Sequence, residues 1–423
     1  MPRTTRALTL GQVRDHVDDR FFRPSPARHR IGIETEWHVV RAADPDADVP
    51  LDELRDSMRP FAPGAGRSAV TYEPGGQLEL SGPPAGDVGA AVHELVVDLA
   101  RVQELLAPHG IELLGAGVDP RRRPRRQLSA PRYVAMEAFF DADGPHGRVM
   151  MTRTASVQVN LDNGGSATAL EERWRRVHAI GPALVASFAS SPLACGRPTS
   201  WRSTRLANWW SMDRSRTRPV ALDRPVAQAW SEYVLDARVM LVRLDDGRCQ
   251  PVLDGMRMRD WIEHGHELGH PTLDDLDYHL TTLFPPVRPR GWFELRYLDA
   301  VPTPWWPVVA AITTMLVDDD EAGAIADAAT AATAGRWMVA AGAGLTDVRL
   351  AAAAVRCFDA ALAALDRRGV DRSLRELCAA YADRFVRRRR CPADELLEQW
   401  TRERQVGGSA ADRSRTREGS TCP

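Results

Sequence analysis

The segment IGIETEWHVV, residues 31–40, alternates apolar and polar side chains over its first half. Side chains two positions apart lie on the same face of a β-strand, so Glu34 and Glu36 share one face and the apolar residues share the other. The segment therefore predicts a strand in a sheet that has one apolar face and one acidic face.

Three later segments show the same alternation: AVTYEPGGQLELS (69–81), VMMTRTASVQVNLD (149–162) and the segment at 292–299. Each predicts a further strand with one polar face. These polar faces carry carboxylates, amides and one arginine, which are Glu73, Glu79, Gln158, Asn160, Glu294 and Arg296. With the two glutamates of the first strand, carboxylates from three separate strands are expected on polar faces.

The remaining pattern predicts helices and shorter strands. Helices are predicted at 87–107, 168–190, 226–236, 257–263 and 273–282, short strands at 111–117 and 238–244, and mostly alanine-rich helix over 305–400. Strands that precede helices favour an α+β fold built on an antiparallel sheet. We expect one large unit: a sheet-containing part at 1–310, a helical part at 311–404 packed on it, and a disordered tail at 405–423.

The composition limits the chemistry. Of the 423 residues, 55 are Lys or Arg, and every one of the 55 is arginine. A phosphate-loop lysine or a Schiff-base lysine is therefore excluded, and anions must be held by arginine, backbone amides or metal. The net charge of -2 gives no reason to expect nucleic acid or membrane as a partner, and the apolar stretch 305–317 contains a proline and is too short for a bilayer. We expect a cytoplasmic protein.

The glutamates of the predicted sheet admit two interpretations. One is an ordinary solvated sheet face, which is the commonest cause of alternation. The other is a metal site, because Glu34, Glu36, Glu73 and Glu79 have no basic residue interleaved on their own face and would repel one another. Oxygen ligands suit hard ions such as Mg²⁺, which commonly bridge nucleotide phosphates. The spacing alone leaves both interpretations open.

At these residues the sequence resembles a known family. The segments IGIETEWHVV, YEPGGQLELSGPP, MMTRTASVQVNLD and HLTTLFPPVRPRGWFELRYLD, with the Arg-Ser-Thr stretch that begins at Arg202, closely resemble the glutamate-cysteine ligases. The most similar group is the plant-like and GC-rich bacterial one, which includes the ligase that opens ergothioneine biosynthesis. The resemblance covers roughly residues 29–310 in the same order, and the helical remainder matches in general character only.

The resemblance implies an ATP-dependent ligase with a fold related to glutamine synthetase and an active site on the concave face of its sheet. It would join the γ-carboxylate of L-glutamate to the amine of L-cysteine through γ-glutamyl phosphate, with ATP as co-substrate and two or three Mg²⁺ ions, for which Mn²⁺ could substitute. A monomer or a homodimer is expected.

The resemblance also assigns roles to individual residues. Arg296 would face the transferring phosphoryl group, and Asn160 would contact the nucleotide. Arg202, Arg216 and Arg288 would clamp glutamate carboxylates or phosphates. The implied metal ligands are Glu34, Glu36, Glu73, Glu79, Glu294 and, where some relatives have histidine, Gln158.

Three alternatives accompany this interpretation. A ligase of the same superfamily could join glutamate to a different amine, and a non-catalytic homologue could act as a regulatory partner. The third is a zinc protease, suggested by the formal H-E-x-x-H spacing of HGHELGH at 264–270. That motif needs a helix, which Gly265, Gly269 and Pro271 oppose, so a loop is predicted there.

Overall fold

A computed structural model describes residues 7–23, 30–61 and 67–407. Its strands are β1 (Ile31–Arg41), β2 (Ala69–Tyr72), β3 (Leu78–Ser81), β4 (Ile111–Leu114), β5 (Val157–Asp162), β6 (Leu193–Ala194), β7 (Arg197–Pro198), β8 (Leu241–Arg243), β9 (Cys249–Pro251), β10 (Val287–Pro289) and β11 (Trp292–Leu295). Its first nine α-helices are α1 (Leu10–Phe21), α2 (Leu51–Met58), α3 (Val88–Leu106), α4 (Pro131–Asp141), α5 (His146–Arg153), α6 (Ala167–Ala179), α7 (Gly181–Phe188), α8 (Thr204–Ser211) and α9 (Arg214–Thr217).

The later helices follow from residue 226 onward. They are α10 (Val226–Asp236), α11 (Met258–His264), α12 (Leu273–Leu280), α13 (Trp306–Asp318), α14 (Asp320–Thr330), α15 (Trp337–Ala343), α16 (Val348–Arg367), α17 (Arg372–Arg384) and α18 (Pro392–Gly407). Within the described ranges, no helix combines the length and the apolarity needed to cross a membrane.

One mixed-length antiparallel sheet organises the fold. Within the described residues it has seven strands in the order β10-β11-β5-β1-β3-β2, with β4 paired to the second half of β1. The long strand β1 is therefore central and pairs with β3, β4 and β5. This confirms the predicted α+β fold with an antiparallel sheet and surrounding helices.

The apolar face of the sheet rests on two helices. Helix α3 begins where the Asp87 carboxylate accepts a hydrogen bond from the backbone N–H of Ala90 at 2.9 Å, and it buries a stripe from Val88 to Leu106. Helix α13 is buried on every side and contacts α3, β1 and β5. The two helices leave the opposite, polar face, which we call the front face, available for a site.

Three of the predicted elements were wrong in extent. The predicted strand 69–81 is a hairpin, because the segment EPGGQ turns between β2 and β3. The first part of the predicted strand 149–162 is helix α5, and the predicted helix 168–190 is two helices separated at Gly181, with Pro182 in the first turn of the second. Of the predicted tail, residues 405–407 end helix α18, and residues 408–423 lie outside the described ranges.

Candidate active site

The front face carries the polar side chains that the sequence predicts. Glu36 lies opposite Glu79 in the β1–β3 ladder, and Glu34 lies opposite Gln158 in the β1–β5 ladder. Paired residues of antiparallel strands point to the same side of a sheet, so these four side chains share the front face. The ladders of β11 with β5 and β10 add Asn160, Glu294 and Arg288 to the same side.

Glu36, Glu73 and Glu79 form a cluster that we call the carboxylate triad. Each offers one oxygen, and the three oxygens lie within 4.8 Å of one another. Among the described residues, the triad is the one group of three or more acidic, histidine or cysteine side chains close enough to share a metal ion. An all-oxygen donor set suits a hard divalent cation such as Mg²⁺.

The triad is electrostatically unfavourable by itself. Burial, followed by the charges of Glu36 and Glu79, raises the pKa of Glu73 to about 8. Burial and the charge of Glu79 also raise the pKa of Glu36 above its ordinary range. Carboxylates in this situation must hold protons or meet a positive charge. The donor set and its electrostatics therefore both fit a cation.

A tight turn places Glu73 beside the two strand glutamates. Its backbone N–H donates to the carbonyl of Gln77 at 2.9 Å, which closes the turn between β2 and β3. The Gln77 side-chain amide donates to the carbonyl of Thr154 at 2.9 Å. A β-carbon at Gly75 would overlap the backbone of Thr152. The turn thus lies directly against the segment that leads into β5, and only glycine fits at the contact.

Gln158 connects the triad to an arginine. Its amide nitrogen donates to Glu36 Oε1 at 3.0 Å, and its amide oxygen accepts from Arg296 Nη1 at 2.7 Å. The backbone N–H of Ser156 also donates to Glu36, at 2.8 Å. In this arrangement the Gln158 oxygen is occupied by Arg296, so metal ligation by Gln158 would require that contact to be exchanged.

Glu294 is held by two arginines. Arg288 donates to both of its carboxylate oxygens, at 2.6 and 3.1 Å, and Arg296 donates to one of them at 3.0 Å. Burial alone would raise the pKa of Glu294, but the charges of Arg288 and Arg296 lower it to about 2. Glu294 is therefore an anion whatever the charge of the triad, and it orients both guanidinium groups.

Glu34 lies between the triad and Glu294. Its carboxylate accepts from Asn160 Nδ2 at 3.0 Å. Burial, followed by the charges of Glu294 and Glu79, raises the pKa of this carboxyl to about 7. Asn160 also accepts from the indole N–H of Trp292 at 2.9 Å. The structure thus brings Glu34, Asn160 and Trp292 together at one end of the face.

Arg205 belongs to the site, although the sequence analysis did not select it. Its guanidinium is buried, donates to the backbone carbonyl of Arg296 at 2.8 Å and lies 4.8 Å from the ring centroid of Trp209. Its charge acts on Glu36 and partly offsets the effect of burial on that group's pKa. A possible signal was its position three residues after Arg202 at the start of α8, but nothing in one sequence separates it from 54 other arginines.

Arg202 and Arg216 form their hydrogen bonds away from the front-face glutamates. Arg202 donates to Asp394 at 2.7 Å and so connects the segment before α8 to α18. Arg216 is fully buried and donates to Asp213 at 3.0 Å and to the backbone carbonyls of Thr282 and Arg238 at 2.7 and 2.6 Å. The structure joins Arg288 and Arg296 to the front-face glutamates and shows no such contact for Arg202 or Arg216 among the described residues.

The segment HGHELGH forms a loop, as predicted. Helix α11 ends at His264, and the backbones of His266 and Gly269 exchange hydrogen bonds at 2.8 and 3.0 Å. His266 and His270 are therefore not on one helix face, and the helical arrangement required by a zinc protease is absent from this described segment.

Comparisons with known proteins match most of the chain. The family described as "Glutamate-cysteine ligase family 2" matches residues 30–416. The chain is 42% identical over 396 residues to "Glutamate--cysteine ligase EgtA" of Mycolicibacterium smegmatis, an alignment that covers 92% of this chain and 90% of that protein. It is also 42% identical to the protein of the same name from Mycobacterium tuberculosis, covering 87% of this chain and 85% of that protein.

A solved structure shares the fold at low sequence identity. It is titled as the crystal structure of Glutamate--Cysteine Ligase (gshA) from Francisella tularensis in complex with AMP, and it aligns with a TM-score of 0.55. The identity is 12%, and the alignment covers 89% of this chain and 86% of that chain. At this identity the similarity supports the fold alone.

Proposed function

This chain belongs to the glutamate-cysteine ligase family 2, and we propose that it joins the γ-carboxylate of L-glutamate to the amine of L-cysteine with conversion of ATP to ADP and phosphate. The observation that carries the proposal is the front face, where the carboxylate triad is connected through Gln158 to Arg296. The names of the 42% identical relatives support the same reaction. We place the product at the first step of ergothioneine biosynthesis, as the resemblance to that pathway's ligase implies.

The residues that would hold a divalent cation are those of the triad. Their oxygens are close together, their burial disfavours three negative charges, and they offer no nitrogen or sulfur donor. Bound Mg²⁺ would neutralise the phosphates of ATP and stabilise the charge that develops during phosphoryl transfer. We propose two or three ions on the front face, with Mn²⁺ as a substitute.

A second ion would lie between Glu34 and Glu294. Glu34 has a pKa near neutrality and would lose its proton readily to a cation. Glu294 is already ionised but is occupied by Arg288 at both oxygens. Its participation would require Arg288 to turn toward another anion, and a substrate phosphate or carboxylate would be such an anion.

The reaction needs an activated carboxyl group because a carboxylate is a poor acyl electrophile. An oxygen of the glutamate γ-carboxylate would attack the γ-phosphorus of ATP, the bond to the β,γ-bridging oxygen would break, and ADP would leave. The cysteine nitrogen would then attack the acyl carbon, phosphate would leave with the bonding electrons, and the nitrogen would release one proton.

The arginines of the site are suited to the phosphoryl group. Arg296 is fixed by Glu294 and Gln158, and its Nε has no acceptor among the described residues. An unpaired buried donor is costly unless a ligand supplies the acceptor. We propose that Arg296 faces the transferring phosphoryl group and that Arg288 binds the glutamate carboxylate or a phosphate. Arg205 positions the backbone of Arg296.

We assign Arg202 and Arg216 chiefly to holding the segment 202–217 in place. Arg202 joins that segment to the last helix through Asp394, and this link supports one catalytic unit in which residues 1–310 and 311–404 act together. The remaining role of Arg202 as a clamp would be exerted by the guanidinium nitrogens not used by Asp394.

The experiment that tests the function is a direct assay of product. Purified protein is mixed with ATP, Mg²⁺, glutamate and cysteine, and γ-glutamylcysteine is measured by mass spectrometry alongside ADP. Omission of glutamate, of Mg²⁺ or of ATP should each stop product formation. Absence of ATP-dependent product under all conditions would refute the proposal.

The same assay tests the two related alternatives. Replacement of cysteine by 2-aminobutyrate or by other amines shows whether another acceptor gives faster ADP release, which would assign a different amine-joining activity. A regulatory homologue would release no ADP with any amine. The triad argues against that alternative, because a protein without catalysis gains nothing from a repulsive cluster of half-buried carboxylates.

A further inference from the structure

Trp292 is an exposed aromatic side chain on the front face. It is 40% exposed, and among the large exposed apolar side chains of the described ranges it is the one aromatic residue. It begins β11 two positions before Glu294, so both side chains point to the same side of the sheet. The indole offers a flat apolar surface beside the charged groups of the front face.

The indole is held in place by the site itself. Its N–H donates to Asn160 Oδ1 at 2.9 Å, and Asn160 Nδ2 donates to Glu34 at 3.0 Å. The orientation of the ring is therefore fixed relative to one of the glutamates proposed to bind metal. This hydrogen bond uses the ring edge and leaves the flat surfaces available for stacking.

The backbone beside the ring is bare. Gly32 pairs with Asn160 across the β1–β5 ladder, at the front-face position two residues before Glu34. A β-carbon there would lie 3.3 Å from the Asn160 β-carbon. Glycine in the middle of a strand carries an entropic cost and often marks a close approach by a ligand. It leaves a flat area next to Asn160.

A cation accompanies the ring. Arg290 and Trp292 flank Gly291, whose φ of +83° makes the turn between β10 and β11. The Arg290 guanidinium carbon lies 5.7 Å from the indole centroid, and in the described part of the chain this exposed side chain has no carboxylate partner. The turn thus presents an aromatic surface and an uncommitted positive charge together.

We infer that Trp292 and Arg290 bind the nucleotide, with the purine stacked on the indole and the guanidinium directed to the phosphate chain. Bases stack on aromatic side chains through their flat faces, whereas glutamate and cysteine have no such surface. The charge of Arg290 suits the polyphosphate. This assignment rests on the proposed function, because it names the nucleotide subsite of the same front face.

The test compares three variants by steady-state kinetics. Trp292→Leu should raise the KM for MgATP by at least about fivefold, while the KM values for glutamate and cysteine stay within about twofold. Trp292→Phe keeps a stacking surface without the N–H and should recover most of the ATP affinity. Arg290→Gln should raise the same KM and weaken ADP binding measured by calorimetry.

Trp400 provides a matched control. Its indole N–H donates to the backbone carbonyl of Gly196 at 3.2 Å, and Arg404 lies over its ring at 4.6 Å, but it lies on α18. Trp400→Leu should leave the KM for MgATP unchanged.

Two results would overturn the assignment. One is a folded Trp292→Leu protein, verified by circular dichroism, with an unchanged KM for MgATP. The other is a rise confined to glutamate or cysteine. If Trp292→Leu does not fold, ADP binding to Arg290→Gln decides, and wild-type affinity in that variant would refute the assignment. A wild-type protein that makes no product in the direct assay would instead count against the proposed function.

Discussion

Glu36 and Glu79 lie directly opposite each other across the β1–β3 ladder, at the centre of the sheet. Like charges in this position destabilise an antiparallel pair. The arrangement is retained together with a third carboxylate, Glu73, on the adjoining turn. Repulsion between these carboxylates thus lowers the stability of the sheet at this point, and a bound cation would offset it.

Removal of one triad charge should lower turnover without lowering the stability of the fold. Glu79→Gln keeps an oxygen that can accept from Thr71 and Ser81, which donate to Glu79 at 2.7 and 3.2 Å. In chelator, the free energy of unfolding should be unchanged or higher by about 0.5 kcal/mol, because the repulsion is relieved. Turnover with Mg²⁺ should fall by at least about 100-fold. Glu104→Gln, an exposed change on α3, is the control, and normal turnover in Glu79→Gln would remove that residue from the metal site.

The metal-free protein should lose stability as the pH rises from about 6.5 to about 8. The folded-state pKa values of Glu34 and Glu73, about 7 and 8, lie above the unfolded value, so the folded state holds extra protons that it must release over this interval. The pKa values of the buried His38, His178 and His279 are lowered to about 4, 4 and 3. These histidines therefore change the stability mainly below about pH 6.5 and contribute little above it.

Denaturant unfolding in chelator at several pH values measures the slope. Excess Mg²⁺ should flatten it, because the cation replaces the protons, and Glu73→Gln should flatten it without metal. A metal-free protein whose stability is constant or rises over this interval would contradict the electrostatic description of the triad.

Glu294→Gln should lower the stability of the protein, whereas Glu79→Gln should not. Glu294 is 4% exposed and neutralises Arg288 and Arg296, so its loss leaves buried cations unpaired. We expect about 3 kcal/mol of destabilisation together with loss of turnover. Thermal unfolding and the product assay measure both. The double change with Arg288→Met should restore part of the stability and none of the activity, and an unaltered melting temperature in Glu294→Gln would argue against the pairing.

Gly75→Ala should displace the turn that carries Glu73. The new methyl group would overlap the backbone of Thr152, which cannot move as a flexible side chain could. We expect about 2 kcal/mol of destabilisation and a large loss of turnover. Gly86→Ala is the control, since a β-carbon there meets nothing within 4 Å. Equal stability of the two variants would show that the turn does not lie as described.

Arg216→Gln should mainly affect folding. The side chain is buried and donates to Asp213 and to two backbone carbonyls, so its removal leaves acceptors unpaired at a cost of about 3 kcal/mol. The remaining folded protein should keep a normal KM for glutamate. A stable variant with a strongly raised KM would instead restore Arg216 as a substrate clamp.

The composition of the front face was predictable because strand parity is a local property. Glu34 and Glu36 share a face in any strand that contains them, and the same holds for Gln158 and Asn160. The pairing partners were not predictable in this way. Which glutamate lies opposite which depends on the register of β1 with β3 and β5, and register is set by packing across the whole sheet.

Helix α5 shows where the sequence pattern was ambiguous. The run Val149 to Met151 satisfies either a buried strand or a buried helix. The helix is selected by contacts far along the chain, since Met151 joins a buried cluster with Phe139 and Trp209, and Gly147 lies against the ring of Phe140. Helix and strand propensities depend on the local sequence alone, so they do not predict those distant contacts.

The arginines were the hardest residues to assign. All share one chemistry, and their roles depend on which carboxylate each one meets in the fold. Arg205 at the site and Arg216 away from it lie 11 positions apart in a stretch of uniform appearance. Only the contacts in the folded protein show that Arg205 positions a site residue and that Arg216 stabilises the fold.

The placement of Glu34 and Glu36 on one uninterrupted strand has a further consequence. Two residues of β-strand span about 6.8 Å, so covalent geometry fixes the spacing between the Glu34 end of the front face and the triad. Movement of the surrounding loops would not change this spacing. Selectivity for a different amine would then have to arise from residues around the strand, because the spacing of Glu34 and Glu36 stays constant.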